Sequence, residues 1–412
     1  MLAPLVFFIM LSALVGFTRL SQVEGWPRFT GLALWWLKLV FGVALWAVYT
    51  FYYTDRANSD IYKYYDDAAV VHQAFHQNPK AWFDIITGNE NESTAPYTSQ
   101  MKNWERHFNK AVPFNENHFM IRLNALLYLI SGGTIHVHTI AFSFLSFIGL
   151  WLLITGFQQI VVTQKKEVLY ALLFPSFWFW TSGALKESLL LLGLGLLLYG
   201  FFGMKKHLNV LWLLSGFVLL LILRYYLVLC LLPGMLFYFV TQNERTFQRT
   251  AFRFVAVNAA CLLLLLLLAQ TDRKLNFPRI MAKKQQHAVA EAIYMKAGSY
   301  SEVPIIDSSF SSVIVNMPVG LWNTFSKPYL GNSKNPMMLL AAAENILLVA
   351  AFIFLLIRWK RKAEKILTWP QFFFLLNVVL LYGSLIGLIT PVIGNLVRYK
   401  VMLLPFTGML LL

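Results

Sequence analysis

The chain has 412 residues, of which 58% are hydrophobic, 16% aromatic and only 13% charged. Soluble chains carry about 25% charge, so this one cannot cover its apolar surface in water; a soluble globular enzyme and an intrinsically disordered chain are both excluded. The formal net charge of +15 fits the bias of basic residues toward the cytoplasmic ends of membrane spans and anionic headgroups, with no nucleic acid as partner.

A bilayer crossing needs about 17–25 apolar residues, somewhat fewer when tilted or bent. Along the chain such runs fall at 2–18, 31–53, 135–162, 168–183, 187–204, 208–224, 226–241, 251–270, 338–357, 368–390 and 399–412. The expected fold is all-α, a polytopic transmembrane helical bundle of about 11 spans. The expected divisions are the first two spans (1–53), an extracytoplasmic loop with an acidic motif and interfacial helices (54–134), a transmembrane bundle (135–270), a second extracytoplasmic loop (271–337) and C-terminal spans (338–412). The first apolar stretch, Met1 to Phe17, has no Lys or Arg before it and reads as a span rather than a cleaved signal. Segment 118–133, with Arg122 and Asn124, reads as an interfacial or re-entrant helix. Cys230 and Cys261 both lie in apolar runs, which indicates no disulfide framework.

Orientation follows from the basic connectors. Arg19 and Arg28, Lys165 and Lys166, Lys205 and Lys206, Arg245, Arg249 and Arg253, and the run Arg358, Lys360, Arg361, Lys362 and Lys365 all fall on one side in this scheme. That side is expected to be cytoplasmic. The two long loops then face outward. They hold most of the acidic residues and the aromatics Trp82, Trp104, Phe108, Tyr294 and Trp322. Asn91-Glu92-Ser93 matches a glycosylation sequon, a short pattern of low specificity.

Four stretches could carry chemistry. In Thr54-Asp55-Arg56-Ala57-Asn58-Ser59-Asp60, Ser59 is placed to cap a helix running on through His76. Asp60, Tyr64 and Asp67 then share a face at i, i+4 and i+7. A carboxylate held at the membrane surface suits a general base or a metal ligand; a solvated acidic helix start is the plainer alternative. His72 and His76 are also at i, i+4, but no third zinc ligand is evident, so they read as a polar surface pair. His136 and His138 read as interfacial.

The second stretch runs from Phe174-Pro175-Ser176 through Ser182-Gly183 to Lys186-Glu187. Pro175 is expected to break one helix, with Lys186 and Glu187 starting the next. Charges at membrane depth need a partner, ligand or cavity water, so Lys186 is a candidate for a lipid phosphate or else a snorkelling anchor. The third is Thr390-Pro391-Val392-Ile393-Gly394-Asn395-Leu396-Val397-Arg398-Tyr399-Lys400, where a Gly-Asn turn is expected before Arg398. An arginine there can hold a phosphate bidentately, and Arg122 and Arg224 are similar outer-face candidates. The fourth, Asn316 to Tyr329, reads as an interfacial helix before the span that contains Glu344; Lys38, inside the second span, could pair with that glutamate.

Ser59-Asp60 with Tyr64 and Ala68 resembles the outer-loop acidic motif of GT-C glycosyltransferases. Gly394-Asn395 with Arg398-Tyr399 and Pro405 is similar to the terminal Arg-Tyr…Pro stretch of that family. The Pro175-Ser176…Trp180…Gly183…Lys186-Glu187 block is similar to segments of bacterial polysaccharide-assembly membrane proteins. These matches are short, and the chain departs from the family in lacking an Asp-x-Asp pair or an adjacent Asp-Glu in its first loop. Metal dependence therefore stays open, as does the choice among Asp60, Asp66 and Asp67.

The resemblance implies a multi-pass protein of the cytoplasmic (inner) membrane with its active face extracytoplasmic. Its partners would be membrane lipid, a polyprenyl-phosphate-linked sugar donor and a glycan, lipid or protein acceptor. It implies Asp60, with Asp67 beside it, as catalytic carboxylate. Tyr64, Arg122, Lys186, Glu187, Arg224, Asn395 and Arg398 are the candidate substrate contacts. The alternatives are an O-antigen-type polysaccharide polymerase, in which arginines dominate the site, and a transporter or flippase without covalent chemistry. The chain has no nucleotide-binding glycine loop, and no internal repeat of the kind transporters often carry.

Overall fold

The computed structural model describes residues 2–53, 55–56, 59–104, 115–161, 165–204, 207–273, 275–333 and 335–412. Thr54, Ala57, Asn58, Glu105, Phe108, Lys205 and Lys206, and the side chains of Arg358 and the basic cluster that follows it, lie outside the described residues.

The regular structure of the described residues is helical, with no strand among them. In chain order the helices are α1 (Leu2–Phe17), α2 (Thr30–Ala47, continued by a π turn to Tyr52), α3 (Asp60–Gln77), α4 (Pro79–Thr87), α5 (Ala95–Thr98) and α6 (Glu116–Ser131). Then come α7 (Ile135–Ile160), α8 (Glu167–Tyr170), α9 (Pro175–Trp180), α10 (Lys186–Phe202), α11 (His207–Thr241) and α12 (Phe247–Thr271). The last six are α13 (Phe277–Tyr294), α14 (Phe310–Ser326), α15 (Pro336–Ile366), α16 (Trp369–Ile389), α17 (Ile393–Lys400) and α18 (Leu404–Leu410).

Among the described residues six helices are long and apolar enough to cross a membrane: Thr30–Tyr52, Ile135–Ile160, Asn209–Thr241, Phe247–Thr271, Pro336–Phe354 and Trp369–Ile389. The chain is a multi-pass membrane protein on that ground. The larger span count does not emerge, for local reasons. Segment 168–183 is two short helices, because Pro175 opens α9 at its first position instead of interrupting a long one. Segment 399–412 is broken at Val401–Leu403, with Pro405 at the start of α18. Segments 208–224 and 226–241 are the two helical halves of α11, separated as expected at Arg224, whose φ of −160° and ψ of 71° leave the helical range, and they count together as one apolar stretch, Asn209–Thr241. The first apolar run forms the shorter helix Leu2–Phe17.

Helix starts are the most locally encoded feature. Asn78, Asn115, Asn276 and Asn335 each accept a backbone N–H of the following turn. Pro79, Pro278 and Pro336 stand in the first positions, where a missing N–H costs nothing. Thr368 and Gln371 close a reciprocal capping box on α16.

The chain divides into two compact units, 1–159 with 178–225 and 160–177 with 226–412. In the first, α3 packs against both α4 and α6. Helices α7 and α10 touch backbone to backbone: a Cβ added at Gly195 would overlap the carbonyl of Gly149. In the second, α14 lies against α16 in the same manner, with Gly387 facing the carbonyl of Gly320. Small residues allow this approach where lipid provides no hydrophobic drive between helices. Segment 316–329, expected at the interface, is thus held along a candidate span, and Thr324 Oγ1 donates to the Gly383 carbonyl at 2.7 Å.

Candidate functional site

The polar groups of the first unit gather at helix starts. Asp60 occupies the first turn of α3, with Lys63 Nζ 3.7 Å from Oδ1. Tyr64, one turn on, is buried and its hydroxyl lies 3.3 Å from Asn117 Oδ1, in the first turn of α6. Lys186, first residue of α10, donates from Nζ to that same Asn117 oxygen at 2.7 Å. The ammonium also meets Glu116 Oε1 at 3.0 Å and stands 5.3 Å from the centre of the Tyr64 ring. Lys186 is thereby threaded between two helix starts, while Glu116 stays 44% exposed.

Next to Lys186 in sequence, Glu187 is fully buried and Arg224 nearly so, and they pair at 3.6 Å. Arg224 sits where α11 leaves helical geometry. Truncating either partner of such a pair is costly, because the other charge stays buried and uncompensated. Ser182 and Gly183, the latter at φ +76°, form the turn before α10. Ser188 Oγ donates back to the Gly183 carbonyl at 2.6 Å.

The three candidate carboxylates of the first loop have different partners. Asp66 holds the guanidinium of Arg56 through both oxygens, at 2.9 and 2.5 Å. Both oxygens of Asp67 accept from the loop backbone, Lys102 N at 3.0 Å and Asn103 N at 2.7 Å. Burial raises the Asp67 carboxyl above the usual carboxylate range, and these amides pull it part of the way back. Asp67 therefore pins the loop after α5. Ser59 stands at the cap position of α3, but its side chain makes no cap bond, and its buried Oγ has no hydrogen-bond partner. The expected Ser59 side-chain cap is not formed.

Arg122 is occupied elsewhere in the same unit. Its Nε donates to the Ile85 carbonyl at 2.8 Å, and its guanidinium lies over Trp104. Trp104 in turn stacks on His118 at 3.7 Å. Asn91 is exposed in the adjoining turn, where its side-chain amide donates to Asp84 at 2.8 Å and its oxygen accepts from Ser93 N and Oγ. His138, expected at the interface, is fully buried between Asn124 Oδ1 at 2.8 Å and Ser131 Oγ at 3.0 Å. His136 packs edge-on against Trp46. Within the span α2, buried Lys38 donates to Thr181 Oγ1 and lies over Trp178.

The second unit has a different polar centre. Glu344 accepts from Ser176 N at 2.9 Å and Ser176 Oγ at 2.6 Å, so its carboxylate is taken up by the start of α9. Lys400, 1% exposed, donates to Asn345 Oδ1, and Asn345 Nδ2 donates to the Lys327 carbonyl at 2.8 Å. Gly394 and Asn395 are already inside α17, so no turn precedes Arg398. Asn395 is exposed and Arg398 half-buried in the last turn. The second loop holds α17 from outside, with Ser301 N donating to the Pro391 carbonyl at 2.8 Å and Ile393 N to the Ser299 carbonyl at 3.0 Å. Sequence reading missed the roles of Glu116, Asn117 and Asn345. Asn115 before Glu116-Asn117 was the one local signal, as a helix-start pattern.

Among the described residues no group of three or more His, Cys, Asp or Glu side chains is placed to hold a metal ion. The chain matches no family model, no curated protein and no solved structure.

Proposed function

We propose that this chain is an integral membrane glycosyltransferase of the GT-C type. It would move a sugar from a polyprenyl-phosphate donor to a glycan, lipid or protein acceptor on the extracytoplasmic face of the cytoplasmic membrane. The observation that supports this best is the cluster at the starts of α3, α6 and α10. There a carboxylate, Asp60, stands one helical turn from a tyrosine that shares Asn117 with Lys186. Asp60 is assigned the base from its place in the first turn of α3, one turn before Tyr64, while Asp66 holds Arg56 and Asp67 the loop backbone.

In this reading the acceptor hydroxyl oxygen attacks the anomeric carbon of the donor, and its proton passes to Asp60. The bond between that carbon and the phosphate oxygen breaks, and polyprenyl phosphate leaves with the electron pair. Lys186 stabilises the charge on the departing oxygen, and preorganised donors of this kind are most effective where water is scarce. Glu187 and Arg224 hold the start of α10, and with it Lys186, in place.

Purified protein in lipid is incubated with a panel of polyprenyl-phosphate sugars, and release of polyprenyl phosphate is followed. Wild type is expected to release it, with a loss of about 10²–10⁴-fold in Asp60→Asn. Release that survives Asp60→Asn but is abolished by Arg398→Ala would favour the polymerase alternative. Absence of release from every donor would overturn the transferase reading and leave transport.

A further inference from the structure

We propose that His72 and His76 form a two-histidine site for a divalent transition-metal ion, zinc foremost. The two residues are one turn apart on α3, and their Nε2 atoms face each other at 3.3 Å. Two Zn–N bonds of about 2.0–2.1 Å at a tetrahedral angle place the nitrogens roughly 3.3–3.4 Å apart. The rings stand nearly perpendicular, at 88°, so the ring faces do not stack. His72 is held in this pose, stacked on Phe75 and on Tyr128, and Phe75 is braced by Trp82. His76 is exposed, which leaves the open side of the pair accessible to an ion.

Two protein ligands leave the remaining positions to water or to a group carried by another molecule. His72 Nδ1 has no hydrogen-bond partner, so the outer support typical of a permanent zinc centre is missing and the ion exchanges. A plain hydrogen bond between two neutral imidazoles has the same separation, and metal binding separates the two cases. This site stands apart from the cluster around Asp60 and does not depend on sugar transfer.

Full-length protein bearing a histidine-free tag, in lipid nanodiscs, is titrated with Zn²⁺ by calorimetry. Wild type is expected to bind an ion that His76→Gln weakens about a hundredfold, the order contributed by a tethered second ligand. His136→Gln, which alters a histidine packed on Trp46, is expected to leave binding unchanged. Because His72→Gln could disturb its aromatic setting, the second readout is the Cu²⁺ spin-resonance spectrum. It should show two nitrogen ligands in wild type and one in the exposed-site variant His76→Gln. Equal Zn²⁺ affinity in wild type and His76→Gln, or one nitrogen in both spectra, would overturn the proposal and leave the hydrogen-bonded pair.

Discussion

The polar centres of the two units handle charge in opposite ways. In the first, Lys186 meets Glu116 and Asn117 at helix starts, and Glu116 is 44% exposed. In the second, Lys400, Asn345 and Glu344 are 1%, 2% and 8% exposed, and their contacts run to one another, to Ser176 and to a main-chain carbonyl. A charge with one open side can exchange a protein partner for a ligand. A sealed one can only hold structure, because removing any member leaves an unsatisfied group where water cannot reach. The same residue types thus keep one open side in the Lys186 cluster and are sealed in the Lys400 centre, as they are in the Glu187–Arg224 pair.

The strongest way to break this comparison is Glu344→Ala. It strands the Ser176 amide and hydroxyl and removes the counter-charge that acts on Lys400. The expected loss is about 3–5 kcal/mol, read as thermal unfolding in nanodiscs. Adding Lys400→Met should restore part of it; a silent Glu344→Ala would show that the centre is not sealed.

Lys186→Met should do the reverse. Turnover of a polyprenyl-phosphate donor is expected to fall about 10²–10³-fold. Stability should change by about 1 kcal/mol or less, as for other partly exposed pairs. A large melting shift with normal turnover would move Lys186 into the structural class.

The smallest expected effect sharpens the picture of the first loop. Hydrogen bonds from Asn91, and then Asn89, hold the Asp84 carboxyl below its ordinary value of 3.8. A depressed carboxylate contributes stability above its unfolded pKa, and that contribution is lost as pH falls through the lower folded value. Protection of amides in residues 84–98 against hydrogen exchange should therefore fall below pH 3.8 in wild type. Asp84→Asn should flatten that fall, and parallel profiles would sink the idea.

Hydropathy and helix-start chemistry were legible along the chain. Asn78-Pro79, Asn335-Pro336 and the box around Thr368 are local signals that the sequence reading passed over, while the start it named, at Ser59, forms without a side-chain cap. Long apolar runs were less informative about span ends. Pro175 and the break at Val401–Leu403 turn two apparent spans into short helices, although both stretches are apolar enough on average. Average hydropathy does not register where a backbone bond is lost.

The candidate site was half visible. Asp60, Tyr64, Lys186, Glu187 and Arg224 stood out as polar residues at the ends of apolar runs. Nothing local said that Asp67 would turn to the amides of Lys102 and Asn103, or that Arg122 would reach the Ile85 carbonyl. Nor did it say which carboxylate would meet which cation.

What the sequence by itself determined is the solvent, a bilayer, and the positions at which helices start, since both follow from composition and from contacts within one turn. Only the tertiary structure decided the partners. Lys186 meets Asn117 across 69 residues, and Ser176 meets Glu344 across 168. A buried charge is stabilised by whichever group the packing brings within about 3 Å, and no periodicity along the chain encodes that distance.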